Sequence, residues 1–208
     1  MSAISVRPTA FDLLKPKPGR PEIVDVPWFN YLMLDGQGDP NTSHDFQDAI
    51  GALYSLSYGA KFALKKEGVD VRVMPLEALW WAVRKGEVVP KDAATWTWTA
   101  MILQPEPVSR ELVERVRSEA ARKRPSPALE KVRFERFHEG KCAQVMHMGP
   151  YSAEEPTIEL LHAFITEQGF EPTGRHHEIY LGDPRRAAPA RLRTVIRQPV
   201  VPASKLSG

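Results

Sequence analysis

A single cysteine, Cys142, stands in 208 residues, so no disulfide can form within the chain and the fold rests on packing and hydrogen bonding. In an apolar stretch without a nearby basic partner, that thiol reads as a small core residue rather than a nucleophile. No apolar run approaches the roughly 20 residues needed to cross a bilayer, and the N-terminal stretch MSAISVRPTAFDLLKPKPGRPE lacks the apolar core and cleavage pattern of a signal peptide. A cytoplasmic protein with no membrane partner is expected. Charge of one sign is also missing: 28 Lys+Arg against 26 Asp+Glu leave a net +2, too little for the footprint of a nucleic-acid binder. Basic residues gather at Arg115, Arg117, Arg122, Lys123 and Arg124, and again at Arg185, Arg186, Arg191, Arg193 and Arg197. Both groups are interleaved with helix or turn residues instead of stacking aromatics and read as solvated faces. The signatures CxxC, HExxH, GxxxxGKS/T and GxSxG are absent, and Gly36-Gln37-Gly38 is too short for a dinucleotide fingerprint. No metal and no cofactor is expected.

What is present is ordinary globular material, 42% hydrophobic and 26% charged. Pro8, Pro16, Pro18, Pro21 and Pro27 make residues 1–27 an extended arm with no room for a helix-turn-helix. Beyond it the pattern becomes regular. Asn30 to Leu34 reads as a strand closed by the Gly36–Gly38 turn. Thr42 or Ser43 then caps a helix in which Phe46, Ala49, Ile50, Leu53, Ser57, Ala60 and Leu64 recur every three or four residues until Gly68. Val69 to Met74 is expected as a strand, extended by Leu79 to Val83 beyond Pro75, and Thr95 to Leu103 returns with strict alternation. A connecting helix spans about Ser109 to Arg124, with Leu112, Val113 and Val116 inward.

The plan then repeats. Cys142 to Met148 is a strand, Ser152 and Glu155 have capping-box spacing, and Ile158, Leu161, Phe164 and Ile165 mark a helix that Gly169 ends. Thr173 to Leu181 and Leu192 to Gln198 supply two more strands. Gly36 and Gly149 stand at equivalent corners, Gly68 and Gly169 at equivalent helix ends. Two strand-helix-strand-strand modules, about 28–105 and 130–200, predict one α+β domain over 28–201 with an antiparallel sheet and pseudo-twofold symmetry.

Within His176-His177-Glu178-Ile179-Tyr180-Leu181 the period of two puts His176, Glu178 and Tyr180 on one face and Ile179 and Leu181 on the other. A carboxylate in mid-strand is costly to bury without a partner, and spacing alone leaves it either on open sheet or in a site. Trp96 and Trp98 share a face of their strand, Trp80 and Trp81 point to opposite faces of theirs, and Tyr54, Tyr58 and Tyr151 lie on or before the two main helices. Such aromatics either fill cores or, with a carboxylate and tyrosine hydroxyls, wall a pocket for planar rings.

Pro75-Leu76-Glu77-Ala78-Leu79-Trp80-Trp81, Trp96-Thr97-Trp98 and the run from His176 to Arg186 continuing at Leu192 to Val200 resemble the stand-alone branch of the GyrI-like small-molecule-binding domains. The similarity covers roughly Trp28 to Val200. It implies the SHS2-type, multidrug effector-binding fold, with a ligand groove that has a glutamate at its base. Relatives fused to DNA-binding domains are multidrug sensors, in which that glutamate meets cationic aromatic ligands. Some stand-alone members are hydrolases that open the cyclopropane ring of DNA-alkylating natural products. On this resemblance Glu178 is the catalytic carboxylate, Tyr180 assists it, and Tyr58, Trp81, Trp96, Trp98, Tyr151 and His176 contact an aromatic small-molecule ligand. The implied function is a cofactor-independent, detoxifying cyclopropanoid hydrolase. The alternative is a non-catalytic module that sequesters ligands or serves a transcriptional regulator. A homodimer or a regulator partner stays open.

Overall fold

The computed structural model describes residues 9–40, 42–82, 96–183 and 186–203. Its elements are β1 Glu22–Val26, β2 Phe29–Gln37, α1 His44–Lys66, β3 Leu76–Ala82, β4 Trp96–Gln104, α2 Arg110–Lys123, α3 Pro127–Lys131, β5 Arg133–Phe137, β6 Gly140–Met148, α4 Glu155–Glu167, β7 Phe170–Pro172, β8 His176–Tyr180 and β9 Arg193–Pro202. They fall into two compact units, one of Phe29–Phe137 and one formed by the residues up to Trp28 with those from His138 onward.

In the Phe29–Phe137 unit four strands pair antiparallel in the order β3-β4-β2-β5. The Ser43 hydroxyl accepts from the Phe46 amide at the start of α1, as its capping position predicts. The apolar stripe of α1 buries Phe46, Ala49, Leu53, Leu56, Ala60 and Leu64, with Phe46 edge-on to Trp98 at 4.8 Å between ring centroids. Two glycines permit this packing. A Cβ on Gly59 would lie 2.2 Å from Val116 of α2, and one on Gly36 would lie 2.2 Å from the Trp98 ring. The expected strand Val69–Met74 does not form: of these residues only Met74 is buried, and Pro75, with no amide proton to donate, precedes a strand that starts at Leu76. Val83 and Thr95, expected as strand ends, lie outside the described residues.

The other unit uses the same strand order, β8-β9-β6-β1, again antiparallel, with short β7 on the C-terminal part of β9. Residues 22–26 of the expected arm are extended, and they pair as β1 along β6. α4 packs Leu161 and Ile165 against Ala143, Val145 and Ile196. It starts at Glu155, not at the Ser152 cap: Ser152 sits in a 3-10 turn, Tyr151–Ala153, Glu154 occupies the N-cap, and Pro156 takes a first-turn position where its missing N–H costs nothing.

The opposite face of this sheet buries Met146, Ile179 and Val195 against Leu14, and beside them a polar network. Arg197 donates to Glu139 at 3.0 Å, to the Gln144 side chain at 3.1 and 3.0 Å and to the Leu13 carbonyl at 3.4 Å. His177 Nδ1 lies 2.9 Å from the second Glu139 oxygen, and Gln144 donates to Glu22 of β1 at 2.9 Å. Burial alone would raise the Glu139 carboxyl, but the charges of His177 and Arg197 and their hydrogen bonds outweigh it and hold it down at about 2. Cys142 is buried beside this network, and burial pushes its thiol up, in keeping with a core residue.

Two expectations follow from this packing. Gly36→Ala forces a methyl into the fully buried Trp98 ring and should cost about 1–3 kcal/mol in urea unfolding; an unchanged midpoint would show that Trp98 yields freely. Glu139→Gln leaves Arg197 and His177 buried without their counter-charge and should cost about 3–5 kcal/mol at neutral pH. Because the folded value of Glu139 lies below its ordinary 4.5, its contribution is present above that value and lost as pH falls toward about 2. Urea midpoints measured from neutral to acid pH should therefore converge for wild type and variant; parallel curves would contradict the assignment.

Candidate functional site

The register of β8 on β9 sets Glu178 opposite Ile196 and Tyr180 opposite Thr194. Ile196 packs beneath α4, so the alternation of β8 carries His176, Glu178 and Tyr180 onto the helix-covered face. Glu178 is thus not on open sheet; its side chain is 15% exposed. Both of its oxygens have protein partners. His176 Nε2 lies 3.2 Å from Oε1, and the Tyr180 hydroxyl donates to Oε2 at 2.7 Å. With Tyr180 engaged in this way, its hydroxyl orients the carboxylate. The Tyr151 ring meets that of Tyr180 edge-on, with centroids 5.3 Å apart.

Tyr151 leads into the residue that the sequence reading did not single out. The Glu154 amide donates to the Tyr151 carbonyl at 3.2 Å, and the Glu154 side chain is buried at the N-cap of α4 with Oε1 lacking any partner. Burial raises this carboxyl and the negative charge of Glu178 raises it further, against a smaller lowering by the Thr194 hydroxyl, so that it stays protonated well above the usual carboxylate range. The turn that delivers it is held by His147, whose ring nitrogens lie 2.9 Å from the Thr157 hydroxyl and 3.2 Å from the Pro150 carbonyl.

A second missed residue, His162, comes from α4. Burial and the positive charge of His176 both lower its pKa, and its Nε2, like Nδ1 of the fully buried His176, is an enclosed ring nitrogen with no hydrogen-bond partner. One unit therefore gathers a hydrogen-bonded carboxylate, a protonated carboxylic acid, two imidazoles and two phenols. That set can accept a proton at one point and supply one at another. Glu154 left one trace in the sequence: Pro156 fits the first turn of a helix, which would make Glu154 a capping residue.

The remaining expected residues lie in the Phe29–Phe137 unit. Tyr58 is exposed on α1 between Tyr54 and Phe62, at centroid distances of 6.1 and 6.2 Å. The β3–β4 register sets Trp80 against Trp98 and Trp81 against Thr97, so Trp81 is on the face opposite to Trp96 and Trp98 and the three do not form one wall. Trp96 is partly exposed and edge-on to Trp80 at 5.4 Å. Trp98 has no exposed surface and is core packing, enclosed by Phe46 and the Gly36 backbone.

No described helix is long and apolar enough to cross a membrane. Among solved structures, an uncharacterised conserved protein from Listeria innocua is 38% identical, with a TM-score of 0.82, the match covering 89% of this chain and 94% of that one. A hydrolase encoded by lin2189 from the same organism is 35% identical, with a TM-score of 0.82, covering 92% of this chain and 96% of its own. The EcmrR C-terminal domain, 12% identical with a TM-score of 0.53 over 88% of this chain and 98% of that one, shares the fold alone. No curated protein matches the chain. A profile of the GyrI-like small molecule binding domain matches residues 20–201, and with the paired strand-helix-strand-strand units this chain belongs to the GyrI-like small-molecule-binding family.

Proposed function

We propose that the chain binds planar, hydrophobic or cationic aromatic molecules and hydrolyses the cyclopropane ring of electrophilic, genotoxic natural products, with Glu178 as the base. The observation that carries this reading is the unlike carboxyl pair: Glu178 hydrogen-bonded and oriented by His176 and Tyr180, Glu154 buried and held protonated by burial and by Glu178. The 35% identity to a Listeria innocua hydrolase supports a hydrolytic reaction.

The chemistry balances with water as the sole co-reactant. Water oxygen bonds to a ring carbon while Glu178 takes its proton; the strained carbon–carbon bond breaks, and its electron pair passes through the conjugated system to the substrate carbonyl oxygen. Glu154 gives its proton to that oxygen as charge develops, and the proton held by Glu178 returns to Glu154 through solvent or the adjoining hydroxyls. The product carries a new alcohol and an enol or phenol. Strain already makes the ring electrophilic, so orientation and proton transfer suffice. The Tyr151 and Tyr180 rings offer aromatic surface at the carboxyl pair.

A carboxylate held by two donors also serves as a fixed counter-charge for a cation, which keeps a purely binding module as the second reading. Product analysis separates them. Wild type incubated with a cyclopropane-fused dienone should yield ring-opened product beyond one equivalent. Glu178→Gln should keep binding a neutral substrate while turning it over about 10²-fold more slowly, with a smaller loss in Tyr180→Phe. Single-equivalent binding without ring-opened product, across several electrophilic aromatic ligands, would leave only the binding module.

A further inference from the structure

The carboxyl pair has an asymmetry that bears on which ligands it takes and how. Glu178 has a donor on each oxygen, whereas Glu154 Oε1 is buried with none. His176 and Tyr180 of β8 meet Glu178 and Thr194 of β9 meets Glu154; the charge of His176 acts on His162 of α4, Tyr151 packs on Tyr180, and His147 of β6 is turned to Thr157 and Pro150. Among the described residues, no arginine or lysine is among the groups that act on Glu154. Burial, the charge of Glu178 and an Oε1 without a donor outweigh the lowering by the Thr194 hydroxyl, so Glu154 keeps its proton.

A ligand of fixed positive charge is what stands in for it. We propose that an aromatic cation entering this site takes the place of the proton on Glu154, so that cation binding is coupled to release of one proton whereas binding of a neutral ring is not. The proposal rests on Glu178 and Glu154 being the ligand site. It separates two ligand classes thermodynamically: neutral electrophiles meet an acid and a base, and cations meet two carboxylates. Burial makes the exchange favourable, since the cation's charge is opposed by two anions in place of one in a medium that screens them poorly. The raised carboxyl of Glu154 sets the window: cation affinity climbs with pH while Glu154 is protonated in the free protein and levels off above its folded value.

The test is calorimetric titration of the full chain at mildly alkaline pH with two dyes of one shape, 10-methylacridinium as fixed cation and acridine as neutral ring. Each is run in phosphate and in Tris, whose ionisation heats differ. The expected result is about one proton released per bound cation, with Kd falling about tenfold per pH unit below the Glu154 transition, and no release with acridine. Glu154→Gln should abolish both the release and the pH slope for the cation. Binding of both dyes with no proton release from wild type would overturn the coupling while leaving the site intact. Release that persists in Glu154→Gln would assign the proton to another group and overturn it as well. Failure of both dyes to bind would overturn the reading of the site together with the proposal.

Discussion

Glu154 at the N-cap of α4 and Glu178 of β8 interact electrostatically, and in a poorly screening environment the negative charge of one opposes that of the other. This constraint organises the unit around it. Burial, reinforced by the charge of Glu178, decides the outcome for Glu154, whose enclosed oxygen has no donor, while His176 and Tyr180 orient Glu178. A base and an acid therefore coexist at one pH without a charged partner for Glu154. On the proposed function the same pair would present an anion to a cation and a proton donor to a neutral carbonyl.

The constraint is met only because the backbone beneath it is fixed. Period-two alternation along β8 and β9 sorts polar groups onto two faces, with the carboxyl site on the α4 side and the Glu139–His177–Arg197 network on the other. The network reaches Leu13 and, through Gln144, Glu22, and so ties the N-terminal segment to the back of the sheet that carries Glu178. Its charges are opposite and paired, whereas those of the site are alike and resolved by a proton. Removing a partner leaves an uncompensated buried charge in the first case and relieves a repulsion in the second.

Much of this fold was legible from periodicity. α1 and α2 begin at the serines whose spacing predicted them, and the strand-helix-strand-strand plan recurs in both units. Local pattern failed where tertiary pairing decides: β1 and β5 are short and partly polar and become strands by lying along β6 and β2, while Val69–Met74 has strand-like residues with no partner. In β8 alternation put His176, Glu178 and Tyr180 on one face, but spacing alone left that face open or covered, and its cover by α4 comes from tertiary packing. Glu154 and His162 were not singled out, since what marks them is burial and the electrostatic influence of Glu178 and His176, which no local spacing encodes. Trp98 shows the reverse: a tryptophan on the right face of β4 is consumed by core packing against Phe46 and Gly36.

The central claim is that Glu154, buried and raised by its neighbour Glu178, holds a proton at neutral pH. Carbon-13 NMR of protein labelled at the glutamate side-chain carboxyls reads this directly, with Glu154→Gln assigning the resonance. The account predicts one carboxyl signal, absent from the variant, that keeps the chemical shift of a protonated acid at neutral pH and moves only on alkaline titration. If the signal removed by Glu154→Gln already has the shift of a carboxylate at neutral pH, with its midpoint near the ordinary 4.5, the carboxyl pair is not the acid and base described and the account fails.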